Sequence, residues 1–184
     1  MKGKNETYGI TQSSELRKMV FASFFAAMIA VGAYIKIPLP FSPVPVTMQP
    51  LFVFLAGSML KSKWGTLSVL IYALLGIAGL PVFAGGASGL GVILGPTGGY
   101  MIGFIVAAFV IGYLSEKSGK NDYFSNALYM GIGLVIDYAL GMTQLAIVAK
   151  LDLLQAITLG VLPFIFGDLL KLAIAAYIAS RYRI

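Results

Sequence analysis

The chain has 184 residues, of which 59% are hydrophobic and only 11% charged, against about 25% charged in soluble domains. Its mean hydropathy of +0.90 excludes an ordinary soluble domain and leaves room for one membrane domain of about six spans at roughly 20 residues each. It has neither cysteine nor histidine, which removes disulfides, thiolate metal sites and the neutral-pH proton carrier; the net charge of +6 sits at span ends rather than in one stripe and so argues against nucleic acid as a partner.

The first predicted span is Met19–Ile35, preceded by Lys2, Lys4, Arg17 and Lys18. Its apolar run exceeds the roughly 7 to 15 residues of a signal-peptide core and no cleavage site follows, so it reads as a retained span after an N-terminal segment 1–18. Ala22, Ala26 and Ala30 recur at four-residue spacing on it. Such a stripe lets another helix approach closely; internal packing is the default reading and a subunit interface the alternative. The loop from Ile37 to Val46 then carries four prolines, which keep it extended and out of a helix.

Thr47–Leu60 follows, short for a span and read as tilted or partly re-entrant. Trp64–Leu80 is the third span. The loop Pro81 to Gly99 after it contains seven glycines among apolar residues. An apolar loop facing water is sensible only if it folds over something, and glycine allows backbone amides near a ligand. Gly98–Leu114, Ser125–Ala149 and Ala156–Ile178 complete six predicted spans.

Orientation follows from the basic residues. With six spans, one side holds ten of the thirteen Lys and Arg, the other holds Lys36 and Lys150, and Lys171 lies within the last span. Such an asymmetry places both termini in the cytoplasm and the two apolar loops outside. The expected fold is therefore an all-α integral membrane protein, a single domain over residues 1–184, with six transmembrane helices and a ligand pocket open to the extracellular side.

Two spans carry charge. Asp168 and Lys171 are three residues apart, share one helix face and can neutralise one another. An ionisable residue at the bilayer centre costs roughly 2.5 to 3.5 kcal/mol on insertion scales, so such groups usually line a protein-enclosed cavity. Pro163 and Gly167 nearby can loosen the helix and free backbone groups. Asp137, beside Tyr138, is the second buried acid. A bundle-pinning ion pair for Asp168 and Lys171, and a structural hydrogen bond for Asp137, are the competing readings. Enzyme chemistry finds no nucleophile–base spacing. Gly89-Leu-Gly91 with Gly95 lacks the spacing and context of a dinucleotide loop.

The run Pro43-Val-Pro-Val-Thr-Met-Gln-Pro50, the stretch Gly65 to Pro81, the loop Leu94-Gly-Pro-Thr-Gly-Gly-Tyr100 and Gly167-Asp-Leu-Leu-Lys171 together resemble the biotin-binding S components of energy-coupling-factor (ECF) transporters, the BioY family. The resemblance covers nearly the whole chain. It implies a six-helix protein of the cell membrane, not an enzyme, that needs no cofactor and captures biotin from outside. It also implies a transmembrane coupling protein (the T component) and two cytoplasmic ATPases as partners, with Ala22, Ala26 and Ala30 as the docking stripe.

Within that resemblance Asp168 and Lys171 bind the ureido ring, and Asp137, Gln49, Gly98, Gly99, Tyr100 and Ser88 join the candidate ligand set. The chemistry fits: a carboxylate accepts from ureido N–H groups and an ammonium donates to the carbonyl. The ligand carboxylate is expected near the glycine-rich loop, where backbone amides and Ser88 or Thr97 are donors. An S component for another vitamin and a self-sufficient proton-coupled carrier or channel are the alternative functions.

Overall fold

Long apolar runs with few helix breakers fold as helices that satisfy their own backbone groups, the requirement a bilayer imposes. The computed structural model describes the backbone of residues 2–182 and the side chains of residues 15–182; Arg183 and the side chains of Lys2 and Lys4, used in the charge count, lie outside the described residues. Helix α1 (Lys2–Tyr34) leads into a two-stranded antiparallel pair, β1 (Lys36–Ile37) and β2 (Val46–Thr47). Helix α2 (Gln49–Ile77), the short α3 (Leu90–Leu94), α4 (Gly98–Ser118), α5 (Tyr123–Ala149), α6 (Leu153–Gly160) and α7 (Leu162–Arg181) follow.

The second and third predicted spans are the two arms of α2. The chain reverses at Lys61, which adopts φ 68°, a region that side chains other than glycine seldom occupy. Gln49 and Tyr72 are hydrogen-bonded at 2.7 Å, whereas a straight helix would separate them by about 34 Å. The turn is fastened to α4: Lys61 Nζ donates to Ser115 Oγ at 2.6 Å and Ser62 Oγ to a Glu116 carboxylate oxygen at 2.6 Å. These hydrogen bonds across to α4 help offset the strain of the reversal.

The last predicted span is also divided, at Val161. Pro163 has no N–H to give the Leu159 carbonyl, so the helix cannot continue through it. The Ser42 hydroxyl takes up that carbonyl at 2.8 Å. The next carbonyl, of Gly160, is released because Phe164 N–H bonds Val161 instead, and the Tyr100 hydroxyl donates to it at 2.6 Å. Both freed groups are thus satisfied by side chains from other elements.

α2 packs between α1 and α4, and α4 packs on α5. One apolar core joins Phe54, Leu60, Ile111, Met130 and Leu172; a second joins Ile29, Val53, Tyr72, Phe83 and Phe104. Phe124, Val135, Ile147, Phe166 and Leu170 are exposed, as expected where the outer surface meets lipid tails. Among the described residues, four helices are long and apolar enough to cross a membrane: Glu15–Tyr34 of α1, α4, α5 and α7. At the start of α5, the Ser125 backbone N–H and hydroxyl bond the capping Asp122 and hold its carboxyl below the usual carboxylate range.

Ala22 and Ala26 are buried, in the first and second core respectively, and Ala30 is half-buried against the second. Their small side chains pack inside the subunit, the default of the two readings, and leave little of Ala22 or Ala26 on the surface. The face that α1 leaves exposed carries Leu16, Met19, Val20, Phe24 and Val31 instead.

Candidate functional site

A cavity of about 390 Å³ opens between the two loops and descends into the bundle. Its upper wall is supplied by both apolar loops: Leu39, Ser42 and Val44 from the proline-rich one, Phe83, Ala87, Gly91, Pro96 and Thr97 from the glycine-rich one. The expectation that these loops fold over a pocket holds. The glycine-rich loop is tied to α1, where Tyr34 hydroxyl donates to the Pro81 carbonyl and Gly85 N–H to Ala33 at 3.3 Å. It is tied to α5 by Gln144, whose amide donates to the Ile93 and Gly95 carbonyls at 2.7 and 2.8 Å.

The inner end holds the polar groups. Asp168 is only 4% exposed and Lys171 6%. Lys171 Nζ lies 2.7 Å from Asp168 Oδ1, and the Tyr138 hydroxyl donates to Oδ2 at 2.8 Å. Asp168 and Tyr138 line the cavity; Lys171 meets it through Asp168. Asp137 lines it too, 2% exposed, and its Oδ1 accepts no hydrogen bond from any described residue. A buried carboxylate oxygen without a donor is costly and rare, and this one sits at the edge of a ligand-sized space. Gly103 of α4 gives it room, since a Cβ there would meet Asp137 Oδ1.

The other candidates fall in two groups. Gln49 and Tyr100 line the cavity. The Gln49 amide is engaged with Tyr72, and Tyr100 is clamped where a Cβ at Gly141 would enter its ring and one at Gly160 would lie 2.6 Å from its hydroxyl. Gly98 and Gly99 are buried where α4 opens against α5, and Ser88 is exposed on the glycine-rich loop; none of the three borders the cavity. A Cβ at Gly99 would run into the Leu140 carbonyl of α5, so this glycine pair permits close helix approach.

Tyr138 and the apolar lining of Phe83, Met101, Phe104 and Phe164 were not singled out from sequence as ligand contacts. Aromatic and methionine residues at helical spacing look the same whether they fill a core or line a cavity. Tyr138 did carry a signal, as a hydroxyl next to an acid in mid-span. Among the described residues no group of His, Cys, Asp and Glu is arranged to hold a metal.

A helical membrane protein whose loops roof a largely apolar cavity, with paired charges at its inner end, is a ligand-capturing subunit in form. The chain belongs to the BioY family, which it matches over residues 5–184. A biotin transporter BioY of Thermotoga maritima is 46% identical, covering 91% of this chain and 96% of its own. A probable biotin transporter BioY of Pyrococcus horikoshii is 42% identical over 90% and 95%. The crystal structure of an S-component for biotin from an ECF-type ABC transporter superposes with a TM-score of 0.86 at 29% identity, covering 92% of each chain.

Proposed function

We propose that this protein is the biotin-capturing S component of an ECF-type vitamin transporter. The observation that carries the reading is the inner end of the cavity: Asp137 and Asp168 as acceptors, Lys171 and Tyr138 as donors, all within a largely apolar enclosure. A ureido group has two N–H donors and one carbonyl acceptor, the complement of that set. Asp137 Oδ1, which accepts no bond from the described residues, takes one N–H, and Asp168 takes the other. Lys171 or the Tyr138 hydroxyl turns to the carbonyl. Phe83, Phe104 and Phe164 suit the sulfur edge and the aliphatic chain.

The chain crosses the plasma membrane six times in this reading, through α1, the two arms of α2, α4, α5 and the α6–α7 pair. Both termini are cytoplasmic and the cavity opens outside. The ten-to-two division of basic residues supports that orientation. Inward release is driven by a membrane coupling protein and two ATPases, because the chain has no nucleotide-binding loop of its own. The whole of 1–184 acts as one membrane domain.

Titration of purified protein with biotin, in detergent and without ATP, tests the reading. Wild type should bind tightly, and Asp168→Asn should lose at least tenfold, since hydrogen bonds to charged groups are worth about 1.5 to 3 kcal/mol. Folded Asp168→Asn protein with wild-type affinity would remove Asp168 from the site.

A further inference from the structure

Among the described residues Lys36 is the one basic residue lining the cavity, and it stands at the exposed end, on β1 just beyond α1, whereas both carboxylates lie at the buried end. Of the acids whose side chains are described, five are engaged elsewhere, and Asp137, whose Oδ1 accepts no bond from the described residues, lies at the buried end. Glu15 pairs with Lys18, Glu116 bonds Ser62, Asp122 bonds Ser125, Asp152 bonds Gln155, and Asp168 pairs with Lys171. Among the described residues no carboxylate forms an ion pair with Lys36.

The ammonium is nevertheless placed. Its stem lies across Gly85 of the glycine-rich loop, where a Cβ would meet Lys36 Nζ and come within 2.7 Å of Cε. Gly85 has φ 75°, a conformation in which glycine is at ease and other residues are strained. The loop itself is fixed to α1 by the Gly85–Ala33 and Tyr34–Pro81 bonds. Ala84 and Ala87 flank this point in the cavity wall. A cation thus stands beside the glycine-rich loop at one end of a largely apolar cavity whose other end carries Asp137, Tyr138 and Asp168.

We infer that Lys36 holds the carboxylate of the bound ligand and that Gly85 positions its ammonium for the task. The inference rests on the biotin reading above, and it makes Lys36 the residue that distinguishes a carboxylate-ended ligand from a neutral analogue with the same ring. The contact is at the exposed end, so it is moderate in strength and sensitive to salt.

The test compares biotin with biotinamide, which lacks the negative charge, on purified full-length protein in detergent. Wild type should bind biotin at least fivefold more tightly than the amide, with the preference shrinking as salt rises from 0.05 to about 0.5 M. In Lys36→Met the ratio should fall to within twofold, and Lys36→Arg should restore most of it. Gly85→Ala, which displaces the ammonium through a different residue, should also erode the ratio. A wild-type protein with equal affinity for the two compounds, or a Lys36→Met variant that keeps the wild-type ratio, overturns the assignment of Lys36 while leaving the biotin reading intact. A wild-type protein that binds neither compound overturns the biotin reading and this assignment with it.

Discussion

Ser42 Oγ donates to the Leu159 carbonyl at 2.8 Å, across 117 residues of sequence. The proline-rich loop is thereby fastened to the break that opens α7, the helix that carries Asp168 and Lys171. One hydrogen bond thus links the loop to the start of the helix that carries the polar end of the cavity.

Ser42→Ala therefore strands the carbonyl that Pro163 leaves without an N–H. A lost hydrogen bond at this mostly buried position should cost about 1 kcal/mol. A lower thermal midpoint in detergent is expected, together with weaker biotin binding because the loop above the cavity loosens. A variant with wild-type midpoint and wild-type affinity would show that the bond contributes nothing.

Gly141→Ala and Gly131→Ala form a paired comparison on α5. A Cβ at Gly141 would enter the Tyr100 ring, whereas one at Gly131 would meet nothing within 4 Å. Overpacking costs about 1 to 3 kcal/mol, while replacing an unconstrained helical glycine by alanine gains up to about 1 kcal/mol. Gly141→Ala should be the less stable of the two and should bind biotin more weakly. Equal stability of the two variants would mean Tyr100 can move aside freely.

Asp137→Asn tests the acid whose Oδ1 has no donor. If that oxygen receives a ureido N–H, the amide should weaken biotin binding about tenfold, from a loss of about 1.5 kcal/mol, with little loss of thermal stability. A folded variant whose affinity is unchanged would instead assign Asp137 to packing against Gly103.

Membrane orientation is open to direct labelling because the chain has no native cysteine. Cysteine at the exposed Ser88 should react with an impermeant reagent in intact cells, and cysteine at the exposed Ser118 should not. Reaction at Ser118 alone would invert the proposed topology.

What could be read from the sequence was what depends on local pattern. The apolar runs, the charged pair three residues apart and the apolar loops each announce themselves within a few residues. The break between the spans at Lys61 to Lys63 was legible from its charge, but the left-handed backbone of Lys61 was not, because nothing in Lys-Ser-Lys demands it; Ser115 and Glu116 of α4, distant in sequence, bond the turn. The split at Val161 was half legible: Pro163 gives the reason, but the partners that make it tolerable, Ser42 and Tyr100, come from distant segments. The alanine stripe carried two readings, internal packing and a docking surface, because small residues at four-residue spacing serve both; the structure packs Ala22 and Ala26 inside the subunit. Gly98 and Gly99 looked like ligand-facing backbone because a glycine that admits a ligand and one that admits a helix are the same residue in sequence.

Asp168 has both carboxylate oxygens occupied by the protein's own donors, Lys171 and Tyr138. Each oxygen keeps a further lone pair, so in the proposed site a ureido N–H joins an acceptor that Lys171 and Tyr138 already hold in place. A molecule of the right shape but without the N–H groups brings no donor to these buried acceptors and leaves Asp137 Oδ1 unmatched. Sites that demand a hydrogen bond in this way reject look-alikes far more sharply than apolar pockets reject a change of size. Sulfur-edge variants, and side-chain variants that keep the carboxylate, should be tolerated, and ring analogues that replace the ureido nitrogens should be refused.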